Sequence, residues 1–286
     1  MSVAKIGVIG GTGLDEIEGM TDVKTVSVDT PFGKPSDTFT IGNLDGSIVA
    51  FLRRHGQGHH LTPSEVPGRA NIYALKSLDV EQIIAVCSAG SFKSEIKPGD
   101  ILVPDQLIDR TRKRTNSFFG DGVVVHIAFS EPFCPVTNRV LYESAKKSGA
   151  KVHQGGTYVC MEGPAFSTRF ESRLYRSWGA DIIGMTVLPE AQLAREAEIC
   201  YGVIACVTDY DSWHASKVPV TIDMVLETMR HNIETAKKII KLSVSALSIK
   251  RTCVCADALK NAIITAKEMI PSAQKQKLAI IIGKYL

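Results

Sequence analysis

Asp209 and Asp211 flank Tyr210 one residue, Thr208, past the apolar and uncharged run 201–207. Two carboxylates at the exit of a buried strand can hydrogen-bond a ligand or share a proton. An ordinary acidic turn has the same composition, so the pair gains meaning only in company. Four further segments supply that company. Val8-Ile9 leads into Gly10-Gly11-Thr12-Gly13, where glycines let backbone N–H groups converge on an anion and Thr12 adds a hydroxyl donor. Residues 48–52 lead into Arg53-Arg54-His55-Gly56-Gln57-Gly58-His59-His60. There an Arg can hold a phosphate by two parallel hydrogen bonds, and the adjacent His adds a donor. Cys87-Ser88-Ala89-Gly90-Ser91 again places small residues after an apolar run. Gly184-Met185-Thr186 joins a hydroxyl to an adaptable apolar side chain.

Each segment has a plainer reading: a tight turn, a solvated basic loop, a methionine in the core. Two rival chemistries fall on spacing. The glycine turn has neither the GxGxxG pattern of a dinucleotide site nor a Walker A sequence. The histidines at 55, 59 and 60 lack a nearby carboxylate motif or cysteine pair, so no metal is expected. A nucleophilic Cys87 is disfavoured because no elbow sequence or acid–base partner accompanies it.

These segments need strands to carry them to one edge. Residues 4–9, 48–52 and 82–87 read as strands, and 101–103 and 107–108 as strand pieces around Pro104. Residues 71–78 suit a short crossover helix. From 137 onward the pattern alternates: helix 138–147, strand 157–161, helix 169–178, strand 182–185, helix 190–198, strand 201–207. Ile222, Val225, Leu226, Met229, Ile233, Ala236 and Ile240 then recur at helical spacing, with Thr221 as N-cap. The fold class expected is α/β, a single domain with a mixed central β-sheet flanked by helices. It spans residues 1–250, and residues 251–286 form a C-terminal tail without a structural assignment.

The chain has 286 residues, 44% of them hydrophobic, enough for a substantial core. Its 33 Lys and Arg are scattered among 30 acids for a net charge of +3, which does not argue for nucleic acid. No stretch reaches the length of a membrane span, and the start has no signal-peptide pattern, so a cytoplasmic location is expected. Seven cysteines without a CxxC pair disfavour both a disulfide framework and a zinc site, with Cys253-Val254-Cys255 as the exception.

Taken together, the segments resemble the trimeric class of purine nucleoside phosphorylases, most closely its methylthioadenosine phosphorylase branch. Beyond those already quoted, the matching stretches include Asp29-Thr30-Pro31-Phe32-Gly33-Lys34-Pro35-Ser36, Ala70-Asn71-Ile72 and Pro104-Asp105-Gln106-Leu107-Ile108-Asp109. Glu131-Pro132-Phe133-Cys134-Pro135, Glu162-Gly163-Pro164 and Pro189-Glu190 match as well. The resemblance runs from about residue 3 to about 245. It implies that methylthioadenosine and phosphate react reversibly to give adenine and methylthioribose-1-phosphate, with inorganic phosphate as co-substrate and no cofactor. It implies phosphate contacts from Thr12, Arg54, His55, Ser88 and Thr186. Met185 would pack on the sugar, Phe166 against the base with Cys87 nearby, and Asp209 and Asp211 would face the purine edge. Asp at 209 suits the 6-amino group of adenine, and a 6-oxo group is mismatched with it. A phosphorylase for inosine, guanosine, adenosine or methylthioinosine is the alternative within the class.

The methylthio pocket would lie near Ile222 and Leu226, with Ser167, His126 and His59 contributing and one wall supplied by a neighbouring subunit. That implies a homotrimer or a dimer of trimers. Three departures stand out: Val66-Pro67-Gly68-Arg69 after His59, Ala165 where the branch usually has Arg, and the region beyond Ser245. By analogy with some thermophilic relatives, disulfides are expected within Cys253 and Cys255 or between Cys134 and Cys200.

Overall fold

The structure, a computed structural model, describes residues 4–11, 14, 16–214, 222–247 and 251–286, without the side chains of 224–227 and 229. Thr12 and Thr221 therefore lie outside the described residues, as does the side chain of Leu226.

Eleven strands among the described residues form one sheet. They are β1 (Ile6–Gly10), β2 (Thr21–Val26), β3 (Phe39–Leu44), β4 (Ser47–Arg53), β5 (Gln82–Ser91) and β6 (Ile101–Val103). β7 (Gln106–Arg110), β8 (Val152–Gln154), β9 (Thr157–Met161), β10 (Ile182–Gly184) and β11 (Cys200–Asp209) complete it. The helices are α1 (Gly68–Ser77), α2 (Pro135–Lys147), α3 (Arg169–Ser177), α4 (Glu190–Glu196), α5 (Ile222–Leu247), α6 (Ser272–Lys277) and α7 (Ala279–Ile282). Parallel and antiparallel pairs coexist, as in the mixed sheet expected.

β5 and β11 are the spine. They run parallel from Cys200 opposite Gln82 to Asp209 opposite Gly90. One edge of β5 pairs with β1 near its start and with antiparallel β10 near its end. Side chains alternate between two cores with the period of a strand. Ile83, Ala85, Cys87 and Ala89 join Tyr201, Val203, Ala205 and Val207 in one core, beneath α1 and α4. Ile84, Val86, Ile204 and Cys206 face the other, covered by α2 and α5. Both faces are buried, so these strands read as unbroken apolar runs.

β1, β4, β5 and β11 are mutually parallel or linked through parallel pairs, so their C-terminal ends share one edge of the sheet. Gly10 lies opposite Arg53 there, and Asp209 opposite Gly90. Open α/β sheets place ligands at such an edge.

Residues 251–286 pack onto the first core: Leu259, Ile270, Leu278, Ile281 and Ile282 are buried in it. Glu198 anchors the segment, accepting from the Leu259 N–H at 3.1 Å and pairing with Lys284 at 2.6 Å. All seven cysteines are free thiols, so neither expected disulfide is present. Instead Cys134, Cys200, Cys253 and Cys255 converge, which the absence of a CxxC pair in the sequence had argued against. The reason is topological: the chain brings together thiols that lie far apart in sequence. No helix among the described residues is long and apolar enough to cross a membrane.

Candidate active site

A cavity of about 580 Å³ opens at the strand-end edge. Arg54, His55, His59, Cys87, Ser88, Phe166, Met185, Thr186, Asp209, Asp211 and Ile222 all line it. Gly11, within the glycine turn, does so too.

The acidic pair is set by a bulge. The β5–β11 register shifts between Val207 and Asp209, so Thr208 is the extra residue and the following side chains are re-aimed. Asp209 accepts from the Thr208 hydroxyl at 2.8 Å and from the Asp211 N–H at 2.8 Å. Asp211 sits at φ +39°, a conformation Asp tolerates better than most residues. A 3₁₀ turn, Asp211–Trp213, fixes it. The Ser212 hydroxyl donates to the Ser167 carbonyl at 2.8 Å, and the Trp213 indole donates to the Ser91 carbonyl at 2.6 Å. Both carboxyls are buried, and burial pushes both pKa values up, that of Asp211 to about 6 with added repulsion from Asp209. Each carboxyl thus holds its proton more readily than an exposed one would.

Arg54 departs from expectation. Its Nε lies 2.6 Å from Glu190 Oε1 and its Nη2 3.1 Å from Oε2, while Nη1 donates to the Val86 carbonyl at 2.8 Å and Nη2 also reaches the Ile9 carbonyl. A guanidinium has five N–H groups, so one on Nη1 is left. The two-pronged contact with phosphate is taken by Glu190, because a buried cation requires a close counter-charge. Burial works against the Arg54 charge, and Glu190 more than offsets it, raising the pKa. Tyr201 holds Glu190 from the other side at 2.8 Å.

His55 is neutral. Burial, and then the Arg54 charge, lower its pKa to about 4. Its Nδ1 lies 2.9 Å from the Leu61 carbonyl and so carries the proton, leaving Nε2 as an acceptor. Its ring stacks on His59 at 4.2 Å. Cys87 is a buried thiol pushed up to about 11, chiefly by burial, consistent with packing and not nucleophilic attack. Thr186 Oγ1 is buried and has no hydrogen-bond partner among the described residues. A hydroxyl in that state, at the wall of a cavity, lacks only a ligand atom.

Two expected residues do not line the cavity. Ser167 lies behind Asp211, its hydroxyl 3.6 Å from Met161 Sδ, and acts through the 3₁₀ turn. His126 is exposed, beside the C-terminal segment, where its N–H donates to the Ala262 carbonyl at 2.9 Å. Three contributors escaped the sequence reading. Arg114 holds the Gly184-Met185-Thr186 loop by donating from Nη1 to the Met185 and Leu188 carbonyls at 2.5 Å each. Arg230 and Asn232 of α5 line the cavity, and the Asn232 amide donates to the Val207 carbonyl at 3.0 Å. The basic run around Arg114 was the available signal, but it reads equally as a solvated loop.

With this geometry in hand, comparison with known proteins defines the class. Residues 5–245 match the model of the phosphorylase superfamily, and the chain belongs to that superfamily. It is 56% identical over 282 residues to the S-methyl-5'-thioadenosine phosphorylase of Geobacter sulfurreducens, covering 98% of this chain and 99% of that one. It is 51% identical to the protein of the same name from Koribacter versatilis, covering 99% and 97%. A crystal structure of a methylthioadenosine phosphorylase from an antarctic soil metagenomic library superposes with a TM-score of 0.95 at 44% identity, covering 98% and 99%. The Schistosoma mansoni methylthioadenosine phosphorylase in complex with adenine gives 0.86 at 36% identity, covering 93% and 99%.

Proposed function

We propose that this protein catalyses phosphorolysis of S-methyl-5'-thioadenosine to adenine and 5-methylthioribose-1-phosphate. The observation that carries the reading is the buried Asp209–Asp211 pair on one wall of a cavity that also presents Thr186, Ser88 and His55. Phosphate binds against Thr12, Ser88, Thr186 and the remaining N–H of Arg54, and as the monohydrogen ion it donates its own O–H to the acceptor Nε2 of His55. One of its oxygens attacks the anomeric carbon as the bond to the purine nitrogen breaks. Positive charge then builds on the sugar, and the phosphate stabilises it; negative charge builds on the base. Protonated Asp209 donates to N7 of the leaving base, and its carbonyl oxygen accepts from the 6-amino group. Burial raises the Asp209 pKa, the direction that favours this role.

Met185 packs on the sugar, Phe166 and Cys87 border the base, and Ile222 and Leu226 with His59 face the methylthio group. His126 contributes from a neighbouring copy, a role open to it because it does not line the cavity of its own chain. The assembly in this reading is a homotrimer or dimer of trimers, acting in the cytoplasm. Phe170 and Leu174, exposed on successive turns of α3, and Trp178, exposed just past its end, are apolar groups that a subunit contact would cover. The deciding experiment incubates the protein with methylthioadenosine, adenosine or inosine, each with and without phosphate. Adenine released only with phosphate supports the reading, preferred hypoxanthine release moves the protein to 6-oxopurine nucleosides, and no release sinks it.

A further inference from the structure

The sulfurs of Cys134, Cys200, Cys253 and Cys255 all lie within 4.8 Å of one another, remote from the cavity, which none of them lines. Cys200 and Cys253 are 3.2 Å apart. Three of the four are buried and Cys253 is partly so. Four thiolates around zinc at about 2.3 Å place their sulfurs about 3.8 Å apart at the corners of a tetrahedron. We propose that these four cysteines bind one zinc ion, which clamps the segment beginning near residue 251 to the sheet.

The local structure suits thiolates. Cys134 is the N-cap of α2, where the helix end favours negative charge, and its sulfur accepts from the Thr137 N–H at 3.5 Å. Cys200 opens β11, and its neighbour Tyr201 accepts the Cys134 N–H at 2.9 Å, which fixes the spacing of those two ligands. Cys253 and Cys255 bracket Val254 at the start of a 3₁₀ turn, Val254–Asp257. Val254 is 79% exposed, so the alternation turns both thiols inward. An all-thiolate set selects a soft or borderline ion over magnesium or calcium. Four protein ligands leave no open position, so the ion is structural, and no step of the proposed reaction passes through it.

Binding exchanges protons for metal: four thiols and Zn²⁺ give a tetrathiolate complex and four released protons, with no change of oxidation state. The ion joins points far apart in the chain, so it stabilises the folded state by binding it and not the unfolded chain.

Full-length protein, purified without added chelator, should carry one zinc per chain by elemental analysis. After denaturation with chelator and no reductant it should show seven free thiols. Cobalt added to the metal-free protein should give the thiolate charge-transfer and intense visible bands of a tetrahedral sulfur site. The double variant Cys253→Ser/Cys255→Ser should lose zinc at least tenfold, melt at lower temperature and keep wild-type kcat at 25 °C. Wild-type protein that takes up neither zinc nor cobalt overturns the proposal, as does a count of three free thiols, which would mean two disulfides. The wild-type metal and thiol measurements decide even if the variant fails to fold.

Discussion

A Cβ placed on Gly90 would lie 2.8 Å from Asp209 Oδ1 and 3.2 Å from Asp211 Cβ, so the bare backbone of one strand sets where the carboxylates of the next can stand. Ile183 closes the third side at 3.3 Å. Asp209 Oδ1 cannot move aside without leaving the Asp211 N–H that it accepts from at 2.8 Å. Gly90→Ala should therefore lower kcat at least tenfold while costing about 1–3 kcal/mol of stability, the usual range for an added methyl in a packed site. Steady-state kinetics and urea unfolding on the same preparation check both halves. Unchanged kcat would mean that the acidic pair has slack.

Asp209→Asn keeps the shape and removes the transferable proton. Adenine release from methylthioadenosine should fall far more than cleavage of inosine, because an amide N–H suits a 6-oxo group. Comparing kcat/KM for both substrates tests this, and equal losses would remove Asp209 from base selection.

Thr186→Val is close in volume and deletes a hydroxyl that has no partner among the described residues. A hydrogen bond to a charged ligand contributes about 1.5–3 kcal/mol, so the KM for phosphate should rise roughly tenfold or more. Without phosphate, Tm should stay level or rise, since no protein partner is lost. A fall in Tm with unchanged phosphate KM would assign Thr186 to the scaffold instead.

Glu196 lies away from the cavity, accepting from the Ser117 hydroxyl and the Phe118 N–H at 2.7 Å each. Burial pushes its pKa up to about 7 from an ordinary 4.5. The folded protein thus binds more protons than the unfolded chain between those values, and stability falls as pH rises through that window. Glu196→Gln mimics the neutral acid. It should gain on the wild type by up to about 3 kcal/mol between pH 4.5 and 8, read from denaturant titrations. A difference independent of pH would show that Glu196 titrates as an exposed carboxyl does.

The strands that position the site were legible because both their faces are buried: residues 83–87 and 201–207 are apolar throughout, and the functional residues follow where the apolar run stops. β2 was not, because it is an exposed edge strand whose Thr, Asp and Lys residues look like loop. The helices of residues 251–286 run four to six residues, too short to show a 3.6-residue period. Partnerships across the chain were harder still. Arg54 pairs with Glu190 through tertiary structure alone, and four thiols meet from three separate segments. Local spacing carries no trace of such meetings, so Arg54 was read as a fully free fork and the cysteines as candidate disulfide partners.

The Arg54–Glu190 pair bears on how the proposed reaction is powered. Among the described residues Arg54 is the buried cation at the cavity, and its charge is already balanced. A phosphate dianion held beside Arg54 meets oriented donors and one available N–H of that buried guanidinium, the other arginine lining the cavity being the exposed Arg230, so part of its negative charge is left unquenched in the ground state. The cation it then encounters is the sugar itself, and only as the bond to the base gives way. An anion held by shape but not neutralised binds the transition state more tightly than the substrate, which is the difference that raises kcat and not merely affinity.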